Sequence, residues 1–179
     1  EKFKAETGIA YRDFEPTGDT QGEQAIRNFA SKGFSPIVAV SFAWTSAIEK
    51  VATEFPDTKF VIVDAVVDKP NVRSVVYKEE EGSYLVGTVA GLFSKTGKVG
   101  FVGGMDIPLI RKFGCGYEQG ARAAKAGVTV YQNMIGTTGA AWSDPVRGGE
   151  LAKGQIDQGA DVVYAAAGAS GIGVLQTAA

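Results

Sequence analysis

Histidine is absent from this 179-residue chain, and cysteine occurs once, at Cys115. The lack of histidine excludes Ser-His-Asp and Cys-His catalysis, and it removes the usual zinc ligand sets and the commonest general base. A lone cysteine forms no internal disulfide, and the apolar helical pattern around Cys115 favours a buried side chain over a reactive thiol. The residues therefore give little support to an enzymatic reaction.

Long hydrophobic runs and a surplus of basic residues are also missing. No apolar run approaches the ~18 residues that a membrane-spanning helix needs, and no signal peptide is visible at the N-terminus. The chain has 18 Lys and Arg against 20 Asp and Glu, which argues against binding nucleic acid through a basic face. The composition, 45% hydrophobic and 21% charged, is that of a globular protein with one solid core or two small ones.

Short apolar runs alternate with amphipathic runs along the chain, which is typical of strands and helices that build parallel sheets. We predict strands at 9–14, 36–42, 59–64, 71–77, 98–103, 128–134 and 161–166, and helices at about 21–31, 45–55, 79–93, 107–125 and 145–158. The polar break at 94–97 divides the series into two similar halves. We therefore predict a first α/β lobe over 1–96 and a second over 97–179, with one continuous sheet as the alternative.

Both ends of the chain fall in helical patterns. A natural domain rarely begins and ends inside helices. We therefore expect an interior piece of a longer protein, missing at least one strand before Glu1 and several elements after Ala179.

Three glycines, Gly82, Gly87 and Gly91, fall in the long helix predicted at 79–93. Glycine in a helix interior costs about 1 kcal/mol. We therefore expect these positions to allow close approach of another backbone.

Two glycine-rich loops follow predicted strands, where ligands bind in open α/β sheets. The loop at 103–108 is not GxGxxG, and Asp106 would repel phosphate, so we do not expect a phosphate site there. The loop at 168–173 lacks the lysine of the Walker A pattern. Each loop, with Met105 in the first and Gly168 in the second, either lines a ligand site or only lets the chain turn.

Three aromatic rings and one acid stand at or near strand ends: Phe42, Trp44, Trp142 and Asp64. Phe42 and Trp44 could stack on a planar ring, or one or both could be core residues; we expect Trp44 to be partly exposed. Trp142 offers a third ring or a hydrophobic staple for the next helix. Asp64 could accept a hydrogen bond from a purine N–H or a sugar hydroxyl, or simply cap the next loop.

Five segments, taken in order, resemble the BMP (basic membrane protein) family of lipoproteins, which are purine-nucleoside-receptor-like substrate-binding proteins of ABC importers. The segments are PDTKFVIVD, EEEGSYLVGTVAG, SKTGKVGFVGGMDIPLIRKFGCGYEQGARA, WSDPVRGGELA and GADVVYAAAGASGIGV. The name "basic" does not fit this acidic chain, so charge is no argument for membership.

The resemblance implies the type I periplasmic-binding-protein fold, in which two doubly wound lobes close on a ligand in the cleft between them. It implies capture of a purine nucleoside or nucleobase and delivery to a membrane ABC permease, with no enzymatic activity, cofactor, metal or nucleic acid, by a protein that we expect to be a monomer. It also implies a periplasmic or cell-surface location with a lipid anchor on an N-terminal cysteine outside this chain.

By position, the resemblance carries ligand binding over to Phe42, Trp44, Asp64, Met105 and Gly168, with Trp142 as a weaker addition. The family's acidic, aromatic motif that grips the base would precede Glu1, and its ribose-binding acid and lysine would follow Ala179. These six residues should thus form the middle of the site.

Three other functions stay open at the level of sequence. The same fold serves as the ligand-sensing core of transcription regulators or signalling receptors, and it binds sugars as well as purines. An α/β enzyme that uses a glycine loop is a further alternative.

Overall fold

The computed structural model describes residues 2–15 and 19–179, which form two compact units, Glu1–Tyr77 and Lys78–Ala179. The first unit contains α1 (Lys2–Thr7), α2 (Asp19–Ser31), β1 (Ile37–Val40), α3 (Thr45–Glu54), β2 (Phe60–Val63) and β3 (Val72–Val75). The second contains α4 (Glu79–Phe93), β4 (Lys98–Met105), α5 (Pro108–Ala124), β5 (Thr129–Gly136), α6 (Pro145–Asp157), β6 (Val162–Ala166) and α7 (Gly171–Ala178). The predicted fold class, mixed α/β with two parallel-sheet lobes, is confirmed.

The first unit is a three-stranded parallel sheet in the order β1-β2-β3, with α2 and α3 packed against it. Its core joins apolar side chains of α3, such as Ile48 and Val51, to Phe60 and Ile62 of the central strand β2. The register pairs Val40 with Val63, so the carboxyl ends of β1 and β2 lie side by side.

The second unit is a parallel sheet in the order β5-β4-β6, with β4, the strand predicted at 98–103, at its centre. Consecutive residues of β4 enter different cores: Phe101 packs with Tyr117 of α5, and Val102 packs with Ala152 of α6 and Val174 of α7. Since side chains alternate across a strand, helices cover both faces of β4.

Helix α4 packs on α5 through glycine on both helices. A Cβ on Gly87 would overlap the carbonyl oxygen of Tyr117, and a Cβ on Gly120 would overlap that of Tyr84. Close approach is therefore confirmed at Gly87, and also at Gly91, where a Cβ would lie 2.7 Å from the Ala121 carbonyl oxygen.

Gly82 departs from the prediction, since a Cβ there would meet no atom within 4 Å. The tight contact with α5 also places α4 in the compact unit Lys78–Ala179, and the lobe boundary between 96 and 97 stays a prediction.

Two local predictions are wrong. Residues 9–14 form no strand; Ile9, Tyr11 and Phe14 are exposed and no strand of the sheet pairs with them. Cys115 is exposed, because the side of α5 that faces α4 is made by its neighbours, including Gly116.

Candidate functional site

The six predicted site residues fall at or just beyond the carboxyl ends of the strands. Phe42, Trp44 and Asp64 follow β1 and β2 in the first unit, and Met105, Trp142 and Gly168 lie at or after β4, β5 and β6 in the second. Parallel sheets bind ligands outside this edge. Each unit therefore presents one candidate surface of three residues.

The edge of the first sheet carries two strained residues. Ser41 has φ 119° and Asp64 has φ 66°, the two positive values among described non-glycine residues. Such conformations cost about 1–3 kcal/mol each and cluster at functional sites. Sheet hydrogen bonds hold both in place, because Ser41 N–H donates to Val63 O (3.2 Å) and Asp64 N–H donates to Val75 O (2.9 Å).

The Asp64 carboxylate is half-buried at this edge. Among the residues that the structure describes, none donates a hydrogen bond to it or forms an ion pair with it. A partly desolvated carboxylate without such a partner can accept hydrogen bonds from a ligand N–H or O–H. The geometry thus leaves Asp64 able to act as an acceptor, and the loop-capping role has no hydrogen bond to support it.

Phe42 and Trp44 lie in a 3₁₀ turn, Phe42–Trp44, directly after Ser41. Ser41 Oγ accepts from Ala43 N–H (3.2 Å), and Thr45 Oγ1 donates to Phe42 O (2.5 Å), so the turn is closed at both ends. Both rings are half-buried. The partial exposure expected of Trp44 is confirmed.

The covered part of the Trp44 ring rests on Gly22 of α2, where a Cβ would overlap the ring. A second element thereby fixes this ring. The pairing of Trp44 with Gly22 has no signal in the sequence.

The edge of the second sheet begins at Met105, the half-buried last residue of β4. The next carboxylate, Asp106, receives two hydrogen bonds from Arg111, at 2.7 and 3.1 Å. The Arg111 guanidinium holds the pKa of Asp106 below its usual range. Asp106 is therefore engaged by a cation, so the repulsion of phosphate expected from the sequence is weaker than predicted.

Trp142 lies between the end of β4 and the loop that follows β6. It ends the 3₁₀ turn Gly139–Trp142, and its ring lies over Gly104, where a Cβ would come within 2.5 Å of ring atoms. At Gly168, a Cβ would lie 3.4 Å from the Trp142 carbonyl oxygen and 3.5 Å from its ring. Gly168 also has φ +56°, so glycine is favoured there by conformation, whereas a Cβ would make only ordinary van der Waals contacts.

The structure therefore brings Trp142 and Gly168 together beside Gly104, whereas Met105 is the chain neighbour of Gly104 at the end of β4. Sequence reasoning missed Ser170, whose side chain is completely buried beneath this loop cluster. No pattern could have found it, because its hydrogen-bond partners are more than 20 residues away along the chain.

The described residues offer neither a metal cluster nor a membrane-spanning helix. Across residues 2–15 and 19–179, acidic and cysteine side chains nowhere gather in a group of three that could hold a metal ion. Within the same residues, every helix is too short or too polar to cross a membrane.

Comparison with known proteins adds the family. Residues 1–179 match the Bmp family model, described as ABC transporter substrate-binding protein PnrA-like. The ABC transporter nucleoside-binding protein BmpA of Lactococcus lactis is 32% identical over 172 residues, 96% of this chain and 48% of that protein. An uncharacterized lipoprotein of Pyrococcus horikoshii is 30% identical over 180 residues, 97% of this chain and 44% of that protein.

A crystal structure of an ABC transporter solute-binding protein from Aeropyrum pernix superimposes with TM-score 0.83 at 27% identity, covering 99% of this chain and 51% of that one. The chain thus spans about half the length of the relatives that it matches. The family model covers the whole chain, and the neighbour has the solute-binding-protein fold that the five segments implied. This chain belongs to the Bmp family of PnrA-like ABC transporter substrate-binding proteins.

Proposed function

We propose that the protein captures a purine nucleoside or nucleobase as the substrate-binding component of an ABC importer and delivers it to a membrane permease. The observation that carries the proposal is the match of nearly the whole chain, at 32% identity, to a nucleoside-binding protein of an ABC transporter. The interlobe cleft that the resemblance implies remains a prediction.

The first unit supplies groups suited to a flat, polar heterocycle. Aromatic rings such as those of Phe42 and Trp44 stack on a base with about 1–3 kcal/mol each, largely regardless of its identity. Asp64 adds direction, because its carboxylate can accept from a purine N–H or a ribose hydroxyl. Stacking would thus supply affinity, and Asp64 would favour ligands that donate a hydrogen bond.

The second unit supplies apolar contact and backbone groups. Met105 and the exposed part of Trp142 offer apolar surface, and Gly168 lets the main chain approach a ligand without a side chain in between. A backbone N–H at such a position can donate to a ribose hydroxyl or a base acceptor. We assign the second unit a role in binding, since the chain contains no histidine and no recognisable acid pair.

We further propose that the protein acts as a monomer outside the cytoplasmic membrane, held by a lipid on an N-terminal cysteine. The similarity to a protein named as a lipoprotein supports a surface location. Mass spectrometry of the membrane fraction tests the anchor, because a diacylglyceryl group adds a defined mass to the first cysteine of the mature protein.

Isothermal titration calorimetry tests the ligand. Adenosine, guanosine, adenine and ribose are titrated into the protein expressed from its complete coding sequence. We expect binding of at least one purine. Binding of ribose with none of the purines would reject the purine assignment and favour a sugar-binding protein.

Uptake of the labelled purine in a strain with and without the gene tests delivery to the permease. Loss of high-affinity uptake is expected. Unchanged uptake, together with a helix-turn-helix in the complete coding sequence, would favour a ligand-sensing regulator of the same fold.

A further inference from the structure

The side chain of Ser170 is completely buried, and its hydroxyl makes two hydrogen bonds to one loop. Ser170 Oγ donates to the carbonyl oxygen of Ala141 at 2.8 Å and accepts from the N–H of Asp144 at 2.7 Å. These partners lie one residue before and two residues after Trp142. One hydroxyl therefore holds the backbone on both sides of the indole ring.

The helices that begin next to these hydrogen bonds, α6 and α7, are tightly packed against each other. A Cβ on Gly148 would overlap the Ser170 carbonyl oxygen, and a Cβ on Gly173 would overlap that of Pro145. The start of α6 and the start of α7 are therefore in backbone contact. Because the starts of these two helices are packed tightly, the Ser170 hydroxyl is held in one place, and its hydrogen bonds fix the turn that carries Trp142.

We propose that Ser170 is a positioning residue for ligand binding, which sets the place of the Trp142 ring at the edge of the second sheet. The inference rests on the proposed function, in which Trp142 contacts the purine. Without the hydroxyl, the buried Ala141 carbonyl and the Asp144 N–H both lose their partner. An unpaired buried polar group is costly, so the turn would shift towards water and take Trp142 with it.

The test compares Ser170→Ala with Ser83→Ala. Ser83 is the matched control, because it is also buried and its hydroxyl has no hydrogen-bond partner in the described chain. Trp142 is observed by acrylamide quenching of its fluorescence, in a background where every other tryptophan, Trp44 among them, is replaced by phenylalanine. Adenosine affinity is measured by calorimetry in the otherwise unchanged protein from the complete coding sequence.

Ser170→Ala should increase the quenching of Trp142 and weaken adenosine binding about tenfold, the size of one lost hydrogen bond. Ser83→Ala should change neither. If Ser170→Ala fails to fold, Ser170→Cys serves instead, because its thiol still fills the site, being somewhat larger than the hydroxyl, but forms weaker hydrogen bonds.

Unchanged quenching and affinity in Ser170→Ala would overturn the inference, as would increased quenching with full affinity. A wild-type protein that binds no purine would instead reject the proposed function. Quenching alone would then decide whether Ser170 holds Trp142 in place.

Discussion

Replacing Gly87 by alanine should destabilise the protein, although alanine is the better helix former. The new Cβ would fall on the carbonyl oxygen of Tyr117 in α5. A carbon–oxygen contact normally needs about 3.3 Å, so α4 and α5 must separate by about 1 Å or more. Overpacking of this kind costs about 1–3 kcal/mol. Because the obstacle is backbone and cannot turn aside, we expect the upper end of that range.

The gain in helix propensity, about 0.5–1 kcal/mol, offsets part of this cost. The expected net loss for Gly87→Ala is therefore about 2 kcal/mol. Gly82 provides a control in the same helix, since a Cβ there meets nothing within 4 Å. Gly82→Ala should raise the free energy of unfolding by about 0.5–1 kcal/mol.

Urea denaturation followed by the helical circular dichroism signal gives both free energies of unfolding by linear extrapolation. Gly120→Ala, which opposes Tyr84 on the reciprocal side of the same contact, should behave like Gly87→Ala. The double variant should lose less than the sum, because helices that have already separated accommodate the second methyl more easily. Equal free energies for Gly87→Ala and Gly82→Ala would show that the two backbones do not meet as described.

Three further results are expected. Burial alone would raise the pKa of Asp161, but hydrogen bonds from Ser94 Oγ and from the loop N–H groups outweigh it and hold the pKa at about 2. Stability from this depressed pKa is present above the unfolded value of 3.8 and is lost as the pH falls towards 2. The free energy of unfolding of Asp161→Asn, measured as the pH is lowered, should not show this loss. The loss in the wild-type protein is at most about 1 kcal/mol, because the side chain is exposed and screened. The same pH dependence in both proteins would contradict this. Asp64→Asn should weaken purine binding about tenfold at unchanged stability, since asparagine tolerates positive φ. Asp64→Gly should weaken binding too, and its free energy of unfolding in urea should rise by about 1 kcal/mol because strain is relieved. Full affinity in both variants would show that Asp64 does not belong to the site. Gly104→Ala should push the Trp142 ring outwards and red-shift its emission, and an unmoved spectrum would refute the contact.

Local patterns predicted much of the architecture. The apolar run around Val99 to Gly103 was interpreted as a buried parallel strand, and β4 is the central strand of its sheet, covered on both faces. The helix predicted from about 145 is also correct, and Asp144 caps its start because its carboxylate accepts from Arg147 N–H at 2.9 Å. These features depend on a few consecutive residues, whose spacing is visible in the sequence.

The errors occurred where a pattern needs a distant partner. Residues 9–14 have strand-like composition, but a strand forms only where another strand pairs with it. Helix α4 has exposed apolar side chains, including Leu85, Val89 and Leu92, and makes its tight contact through glycine. Here the glycines of α4 predicted the contact at Gly87 and Gly91 but not which backbone they meet, because that backbone belongs to α5.

The same distinction applies to the candidate site. The sequence by itself determined that apolar strands end at or just before Phe42, Asp64, Met105 and Gly168, since strand and loop are set by neighbouring residues. Only the tertiary structure decided that the Trp142 ring lies over Gly104. Such contacts join residues far apart along the chain, and they arise from the space and the unpaired polar groups that folding leaves between elements.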